Sequence, residues 1–463
     1  MLMIREVAAA GARPPEFSLE ALAAVVTPAA VEAAVAACGA RERRVRKLPA
    51  AATVLVCIAM NVYAAACLGE VVARLVSGLR WLWPHPDAWR VSPGGLCHAR
   101  ARLGPRPLVA LFKAVCRPLA TPATPGAFLG RWRLLALDGT KWDVPDTPAN
   151  ARAFGRPASG RGAGAWPQVR VVALVECGTH AVCDAGVWRH DAGEPAAARR
   201  LLRSVGPGVL LTWDRGLHSF DLVVATRARG AHLLGRVSAS VQPEVVRTLP
   251  DGTQLVRLRP ADSRRRAREQ VLVRLLTYTL DDPTRPGHGE VHRLVTSLLN
   301  PRVAPAVALV EAYHARWEEE LAFDELETHQ RPPRPLRSRT PLGVLQEVYG
   351  LLLAHYVVRA VMAAAAATAT PAPLPPTRLS FLTTLRLIRS AVPELQRTAP
   401  ADHPRLYRQL LADLVRRPLP PRRNRSYPRV VKQKMSNFRV KAPCHHRWPQ
   451  PTRAFRDAIV LAK

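Results

Sequence analysis

The chain has 463 residues, with 67 Lys or Arg against 35 Asp or Glu, which gives a formal net charge of +32. That length allows a large hydrophobic core and more than one domain. So large an excess of positive charge opposes compaction unless a polyanion neutralises it, and nucleic acid is the polyanion we expect. The abundance of Ala, Arg, Pro and Val also fits a GC-rich genome, in which codon usage alone raises the Arg content.

The cysteines and the apolar segments exclude other classes of protein. The eight cysteines form no Cys-x-x-Cys pair and are too sparse for a disulfide scaffold, so we expect reduced thiols in a cytoplasmic protein. The N-terminus lacks the apolar core of a signal peptide. Asn61 interrupts the apolar stretch 48–68, and His355 and Arg359 interrupt the Ala-rich run after Leu351. We therefore predict buried helices and a soluble protein that does not contact a membrane.

Residues 1–125 are predicted to form a helical N-terminal domain that binds DNA. Ser18 and the pair Thr27-Pro28 are typical helix starts, because Ser and Thr side chains cap a helix and Pro suits its first turn. The run 41–47 contains five basic residues. Two interpretations of this run stay open, a solvated face and a contact to DNA phosphates.

From Arg133 the pattern changes to short apolar runs that are typical of strands. In chain order we predict strands at 134–137, 169–175 and 181–188, a helix at 193–205, a strand at 209–213, a helix at 219–229 and a strand at 232–237. The first three strands can pair antiparallel through short links, whereas the later ones need helical crossovers and so run parallel. We therefore predict an α/β fold with a mixed sheet flanked by helices, as the core of a catalytic domain over 126–345.

A β-rich insertion is predicted over 238–300. Its strands are placed at 248–258, 269–280 and 290–298, where the sequence alternates between apolar and polar residues. One helix is expected after it, over 306–328.

The C-terminal third begins with helices over 346–415 and ends in a basic segment. Residues 416–463 hold 14 Lys or Arg and one acid, and their prolines argue against a compact helix. We predict a basic C-terminal arm, either solvated or lying on DNA.

Three acidic residues stand where phosphodiester chemistry would need them. Such chemistry uses two Mg²⁺ ions roughly 3.5–4 Å apart, held by clustered carboxylates. Asp138 and Asp214 each end a predicted strand, and Glu320 lies on the helix after the insertion. Tyr313, Arg316 and Glu320 are spaced to share one helical face, although an ordinary amphipathic helix with surface acids would give the same pattern.

Several motifs resemble those of a known family. They are Leu137-Asp-Gly-Thr140, Pro145-Asp-Thr-Pro148, Phe154-Gly155, Asp214-Arg-Gly-Leu-His-Ser-Phe220, Tyr313-x-x-Arg316-Trp-x-x-Glu320, Arg43-Arg-Val-Arg-Lys-Leu-Pro49 and Leu336-Arg-Ser-Arg-Thr-Pro341. In this order they resemble the DDE transposases of the insertion-sequence-four family. The resemblance implies a ribonuclease H-like core that a β-rich insertion interrupts between the second Asp and the Glu.

The same resemblance implies the chemistry. Asp138, Asp214 and Glu320 would bind two Mg²⁺ or Mn²⁺ ions, cut at the transposon ends and let the freed 3′-hydroxyl attack target DNA. Asp143 and Asp146 are rival acids for the first ligand, but they lie beyond the strand end. The protein would act on double-stranded DNA, at terminal inverted repeats and at the target, as a homodimer on the DNA of a bacterial nucleoid.

The residues expected to contact DNA form two groups. Tyr313 and Arg316 would hold a phosphate near the cleavage point, since the guanidinium offers a fixed fork of donors. Trp317 would stack on a displaced base or pack in the core, and Arg215 would bind a phosphate or pair with an acid. The basic run of the N-terminal domain would contribute Arg43, Arg44, Arg46 and Lys47.

One position departs from the family. The family signature continues to a Lys seven residues after the Glu, a position occupied here by Glu327. An acid there would repel DNA phosphate, so either Arg331 or Arg334 substitutes for the Lys or binding to the transposon ends is weakened. Because the triad is complete we predict a cut-and-paste transposase. The alternatives are a catalytically weak or domesticated DNA-binding regulator of transposon ends, and a nuclease that cuts but does not join.

Overall fold

The structure is a computed structural model that describes residues 25–44, 47–78, 91–159, 162–285, 287–332, 334–420, 430–431, 439–451 and 453–462. The chain divides into two compact units, each built from segments that are not contiguous in sequence. The first unit takes residues 1–127, 139–193 and 318–418, and the second takes 128–138, 194–317 and 419–463. The domain boundaries that the sequence indicates at 125, 345 and 415 stay predictions.

The helices, in chain order, are α1 Pro28–Ala37, α2 Ala50–Val62, α3 Leu68–Gly78, α4 Pro93–Leu103, α5 Arg106–Val115, α6 Pro148–Phe154, α7 Glu194–Leu201, α8 Phe220–Ala228, α9 Ser263–Arg266, α10 Ala306–His314, α11 Trp317–Asp324, α12 Pro341–Ala367, α13 Phe381–Arg397 and α14 His403–Val415. The strands are β1 Phe128–Leu129, β2 Trp132–Asp143, β3 Ala158–Ser159, β4 Gly162–Ala163, β5 Gln168–Glu176, β6 Val182–Arg189, β7 Val209–Trp213, β8 His232–Arg236, β9 Glu244–Thr248, β10 Gln254–Leu258, β11 Val271–Leu280, β12 His292–Thr296, β13 Val430–Val431, β14 Arg439–Val440 and β15 Ile459–Leu461.

The first unit is organised around α12. This helix is long and apolar enough to cross a membrane by length and composition, yet 78% of its apolar window is buried inside the protein, as expected of a core helix. It contacts α2, α5, α13, α14 and the strand β6. Gly350 of α12 faces the backbone of Cys57 in α2, and a Cβ atom at that glycine would overlap the Cys57 carbonyl oxygen.

A buried polar residue of this core bonds to a backbone group, as burial requires. Asn61, which interrupts the apolar run of α2, donates its amide to the carbonyl of Cys57 at 2.9 Å. Thr27 accepts the first free amide of α1 from Ala30 at 3.1 Å, and Pro28 follows it, which confirms the predicted helix start. The predicted start at Ser18 lies outside the described residues.

The second unit contains the mixed sheet. Strands β2, β7 and β8 run parallel, β12 pairs antiparallel with β8, and the order continues through β11, β10 and β9. Helices α8 and α10 contact β8. In the first unit, β5 and β6 form an antiparallel hairpin. The predicted mixed sheet flanked by helices is confirmed.

Two of the predicted elements are wrong in detail. The expected strand 248–258 is interrupted: residues 249–253 form a turn between β9 and β10, and residues 254–258 are the strand β10. In the turn, Asp251 accepts from the Thr253 hydroxyl at 2.6 Å and Leu249 donates to the Thr253 carbonyl at 2.7 Å. The expected helix 306–328 ends at His314 and resumes at Trp317. The spacing of Tyr313, Arg316 and Glu320 predicts one shared helical face, but the break in the helix separates Glu320 from the other two residues.

The basic C-terminal segment is anchored at its far end rather than free. Strand β15 pairs antiparallel with β11, and Trp448 donates its indole N–H to the carbonyl of Thr284 at 2.9 Å. The Phe455 ring stacks on His314 with 3.9 Å between ring centroids. The expectation of an arm that is solvated or lies on DNA is thus wrong for residues 459–461, whose backbone completes a sheet edge.

Candidate active site

Asp138 and Asp214 lie where the pairing of two neighbouring parallel strands stops. Asp214 follows the last residue of β7, whereas Asp138 lies within β2, which continues to Asp143, so the predicted strand end at Asp138 is wrong. Leu137 of β2 is in register with Trp213 of β7, and each Asp is the next residue along its chain. The two strands run parallel and in register up to these residues, so the backbone brings both acids to the edge of the sheet at which β7 ends. Both side chains are half-buried.

The loop after β7 shapes the surroundings of Asp214. Its Oδ1 accepts from the backbone amide of Leu217 at 3.0 Å. A Cβ atom at Gly216 would come within 3.3 Å of the same oxygen, so a small residue is favoured there. This loop holds the carboxylate at the strand end.

Arg316 lies beside Asp138. Its Nη1 atom is 3.7 Å from Oδ2 of Asp138, and its side chain is 9% exposed while that of Asp138 is 23% exposed. The guanidinium also lies 5.7 Å from the centre of the Tyr313 ring. Arg316 is placed in the turn between α10 and α11, where its amide donates to the Tyr313 carbonyl at 3.1 Å. In the structure this arginine therefore pairs with an acid of the site.

The electrostatic surroundings of Tyr313 connect it with the same group. Burial raises the pKa of Tyr313, the positive charges of Arg316 and Arg236 oppose that rise, and the negative charge of Asp214 adds to it. A pKa above the ordinary value keeps the phenol protonated at neutral pH, so it can donate a hydrogen bond. Tyr313, Arg316, Asp138 and Asp214 thus form one polar group at the sheet edge of the second unit.

Three further residues, Arg236, His292 and Tyr278, extend this group, and none of them belongs to a motif in the sequence. Arg236 follows Gly235, which is in register with Trp213, so it stands level with Asp214. Its Nη2 lies 3.1 Å from Nδ1 of His292, and the His292 ring stacks on Tyr278 at 5.1 Å. Aligning the predicted strand ends 209–213 and 232–237 would have pointed to Arg236, but nothing local marked His292 or Tyr278.

Burial also governs the titration of this extension. It raises the pKa of Tyr278 to about 12, and Tyr313 adds to that rise. It lowers the pKa of His292, with Arg236 acting in the same direction. Arg236 therefore faces a neutral histidine and two protonated phenols at neutral pH.

Glu320 belongs to the first unit, on α11, and is half-buried. Among the residues that the structure describes, no group of three or more His, Cys, Asp or Glu side chains is arranged to hold a metal ion. The predicted three-carboxylate metal site therefore stays a proposal.

The other predicted site residues are placed as follows. Arg215 is exposed beside Asp214. The rival acids are engaged elsewhere, because Asp143 accepts from the Gln168 amide at 2.9 Å and Asp146 pairs with Arg156. The side chain of Trp317 lies outside the described residues.

The basic run of the N-terminal domain borders a cavity of about 340 Å³. Its charged lining residues are Arg41, Glu42, Arg43, Arg44 and Arg102. Glu42 accepts from the Ala50 amide at 3.0 Å, at the start of α2, and pairs with Arg102 at 3.6 Å. Lys47 is exposed, and Arg46 lies outside the described residues.

Two family models match the chain. Residues 16–113 match "Insertion element 4 transposase N-terminal" and residues 131–357 match "Transposase DDE domain". A transposase of Escherichia coli (strain K12), InsG of insertion sequence element IS4, is 31% identical over 425 residues, which is 90% of this chain and 92% of that protein. The putative transposase InsZ of the same organism is 24% identical over 143 residues, 31% of this chain and 48% of that protein.

Among solved structures, the piggyBac transposase synaptic complex with hairpin DNA has a TM-score of 0.43 and 12% identity. The match covers 88% of this chain and 86% of the other.

Proposed function

Because the chain belongs to the DDE transposases of the insertion-sequence-four family, we propose that Asp138, Asp214 and Glu320 are the acidic triad with which it cuts transposon ends and joins them to target DNA. The protein is a transposase, an enzyme of DNA cleavage and strand transfer, and DNA is its partner. The family's core is ribonuclease H-like, and the mixed sheet of this chain fits it.

The observation that carries the proposal is the register of β2 and β7. It brings Asp138 and Asp214 to the same edge of the sheet, with Arg316 and Tyr313 beside them. Glu320 follows on α11, only four residues after Arg316 in the chain. Acids on two adjacent strands and on a following helix are the arrangement that the chemistry needs.

The family depends on divalent metal, and the donor set fits a hard cation. Three carboxylates offer the oxygen ligands that Mg²⁺ and Mn²⁺ prefer. We propose two ions held by Asp138, Asp214 and Glu320. When bound, such a pair supplies an activated oxygen nucleophile and stabilises charge on the scissile phosphate.

Arg316 and Tyr313 have defined tasks in this scheme. Arg316, which pairs with Asp138 in the structure, would offer its guanidinium to a phosphate oxygen of the DNA when that carboxylate holds a cation. Tyr313, protonated at neutral pH, donates to the same phosphate. Arg236, which stands level with Asp214, provides a second positive charge for the phosphate backbone of the DNA strand that is cut.

DNA beyond the cleavage point would be held by exposed basic groups. Arg43, Arg44, Arg46 and Lys47 of the N-terminal domain would contact phosphates of the terminal inverted repeat, and Arg215 would contact a phosphate beside the triad. Trp317 would stack on a displaced base. Two transposon ends are brought together by a homodimer on the DNA, in the bacterial cytoplasm and at the nucleoid.

The decisive experiment uses the full chain and duplexes taken from the two ends of the element that carries its gene. Wild-type protein should cleave these duplexes in Mg²⁺ and give strand-transfer products with a target plasmid. Asp214→Asn should lower the cleavage rate by at least roughly 1,000-fold, because it removes a ligand of the catalytic metal ions. Binding of the end duplexes in EDTA should stay unchanged. Asp457→Asn, an exposed acid of the same unit, is the matched control.

The possible outcomes separate the alternatives. If wild-type protein binds the ends but never cleaves them, the chain is a regulator. If cleavage occurs without strand transfer, it is a nuclease. If Asp214→Asn cleaves as well as wild type, the proposed triad is wrong.

A further inference from the structure

Glu327 stands where the family signature has a Lys, and its carboxylate points into the protein. Oε1 accepts two side-chain hydrogen bonds within the first unit, from the Thr140 hydroxyl at 2.6 Å and from the Trp142 indole N–H at 2.8 Å. Both donors are on β2. An acid with two such bonds is not a plain surface charge.

The surroundings of Trp142 explain why an acid is needed there. The Trp142 side chain is 1% exposed, and an indole N–H is a donor only, so a buried one requires an acceptor. The Arg331 guanidinium lies over the ring, 5.4 Å from the ring centre. Burial lowers the pKa of Arg331, while the charge of Glu327 opposes that shift. A Lys at position 327 would bring a third donor into this group and remove its acceptor.

Glu327 also occupies a special point of the backbone. It lies in a π-helical turn, Glu325–His329, that continues α11, the helix that carries Glu320. Such turns are rare and often occur at functional sites. Thr140 is two residues after Asp138 in β2, and alternate residues of a strand project from the same face.

The opposite side of the same turn is fixed as well. Glu325 is buried and accepts from Nε of Arg359 at 2.8 Å and from Nε2 of His355 at 3.0 Å, both on α12. Although burial opposes it, the charges of Arg359 and His180 hold the pKa of Glu325 well below its usual range. The turn therefore joins α12 on one side to β2 on the other.

We propose that Glu327 is a positioning residue for the metal-dependent reaction, and that it fixes the strand just beyond Asp138 to the helix just beyond Glu320. This inference rests on the proposed function of those two acids. Glu327 acts through Thr140 and Trp142 and does not itself bind the metal or the DNA. The family's Lys contact to phosphate is absent at this position, and the acid has a structural partner instead.

The test compares five full-length variants with the wild type. Glu327→Gln keeps an oxygen acceptor for Thr140 and Trp142 without the charge, Glu327→Ala removes the acceptor, and Glu327→Lys restores the family residue. Asp324→Asn is the matched control, because Asp324 is the last residue of α11, three positions before Glu327, and has a 48% exposed side chain that pairs with His329. For each protein we would measure end-duplex affinity in EDTA, Mn²⁺ affinity by calorimetry, and cleavage at a series of Mn²⁺ concentrations.

A positioning role predicts one ranking. Glu327→Gln and Asp324→Asn should stay close to wild type, while Glu327→Ala and Glu327→Lys should lose about 10- to 100-fold in Mn²⁺ affinity and cleavage, as groups that orient metal ligands do. End affinity in EDTA should stay within about two-fold of wild type for the Gln and Ala variants. Thr140→Val, which removes one donor at constant shape, should lose Mn²⁺ affinity in the same direction even if Glu327→Ala does not fold.

The opposite ranking overturns the inference. If Glu327 faces DNA as a repelling charge, Glu327→Lys should bind the ends most tightly and cleave best. Equal Mn²⁺ affinity in all variants, with wild-type cleavage intact, also overturns it and leaves the triad standing. If instead wild-type protein neither binds Mn²⁺ nor cleaves, the proposed function fails.

Discussion

The guanidinium of Arg316 lies 3.7 Å from the carboxylate of Asp138, at the edge of the sheet where the candidate triad begins. A positive charge this close stabilises the ionised acid in the absence of metal. It also competes with a cation for that carboxylate. Arg316 therefore balances the charge of Asp138 when no metal is bound, and it lowers the affinity of that carboxylate for a metal ion.

Replacing Arg316 should separate these two effects. Arg316→Ala should bind Mn²⁺ more tightly than wild type in the absence of DNA, because Asp138 loses its competing partner. Cleavage of end duplexes should nevertheless fall by about 10- to 100-fold, since one phosphate contact made in the transition state is lost. Calorimetry and a gel-based cleavage assay measure the two quantities. Arg316→Lys keeps the positive charge but not the paired donors of a guanidinium, so its Mn²⁺ affinity and cleavage rate should lie between those of wild type and Arg316→Ala. If Arg316→Ala binds Mn²⁺ no more tightly than wild type, Arg316 does not compete with the cation for Asp138.

Arg236 should matter for cleavage although no sequence motif marks it. It stands level with Asp214 and bonds to His292 at 3.1 Å. We expect Arg236→Ala to lower the cleavage rate by roughly ten-fold or more, as for loss of a positive charge near a scissile phosphate. Arg236→Lys should recover part of the rate. Arg200→Ala, an exposed arginine of the same unit on α7, serves as control, and a rate unchanged in Arg236→Ala would remove this residue from the site.

Acid should destabilise the protein through His218, in the loop after Asp214. Burial lowers the pKa of His218 to about 4, against an ordinary value of about 6.5. The unfolded chain therefore binds a proton between these pH values that the folded chain does not, so the free energy of unfolding falls as pH drops from about 6.5 towards 4. The difference corresponds to about 3 kcal/mol.

Urea unfolding of wild type and His218→Gln at pH 7.5 and pH 4.5 would measure this effect. The variant should lose less stability between the two pH values, because its amide does not titrate. If both proteins lose the same amount, His218 is not the group responsible.

Gly350 should be among the least replaceable residues of the first unit. A Cβ atom there would overlap the carbonyl oxygen of Cys57, which is backbone and cannot rotate away. We expect Gly350→Ala to lower the free energy of unfolding by about 1–3 kcal/mol. Gly193→Ala, which would meet nothing within 4 Å, is the control in the same unit. Denaturant titrations in which both variants match wild type would show that α2 and α12 can separate without cost.

Much of the sheet follows from the sequence because its strands are buried runs. Leu134–Leu137 is apolar throughout, Val209–Trp213 is apolar except for the buried Thr212, and each run is followed by an Asp. A strand buried on both faces has little alternative but to be apolar. The family's motifs point to Asp138 and Asp214 for the same reason, since each acid directly follows one of these runs in the sequence.

The rest depends on contacts between distant parts of the chain. The helix break at Ala315 places Arg316 beside Asp138, a residue 178 positions earlier in the sequence. No local propensity indicates a break there, because the segment lacks Gly and Pro. Arg236 and His292 likewise meet only through the pairing of β8 with β12. The sequence indicates only the charge of Glu327, whereas its hydrogen bonds to β2 depend on tertiary structure.

The interleaving of the two units bears on shortened forms of the protein. Helix α12, around which α2 and α5 pack, is encoded more than 220 residues downstream of them. We expect a product that stops before residue 341 to leave the helices of residues 28–115 without their central packing partner, and so to be degraded rather than to persist. An element that carries this gene would then be unable to make, by early termination, a stable fragment that competes with the intact enzyme.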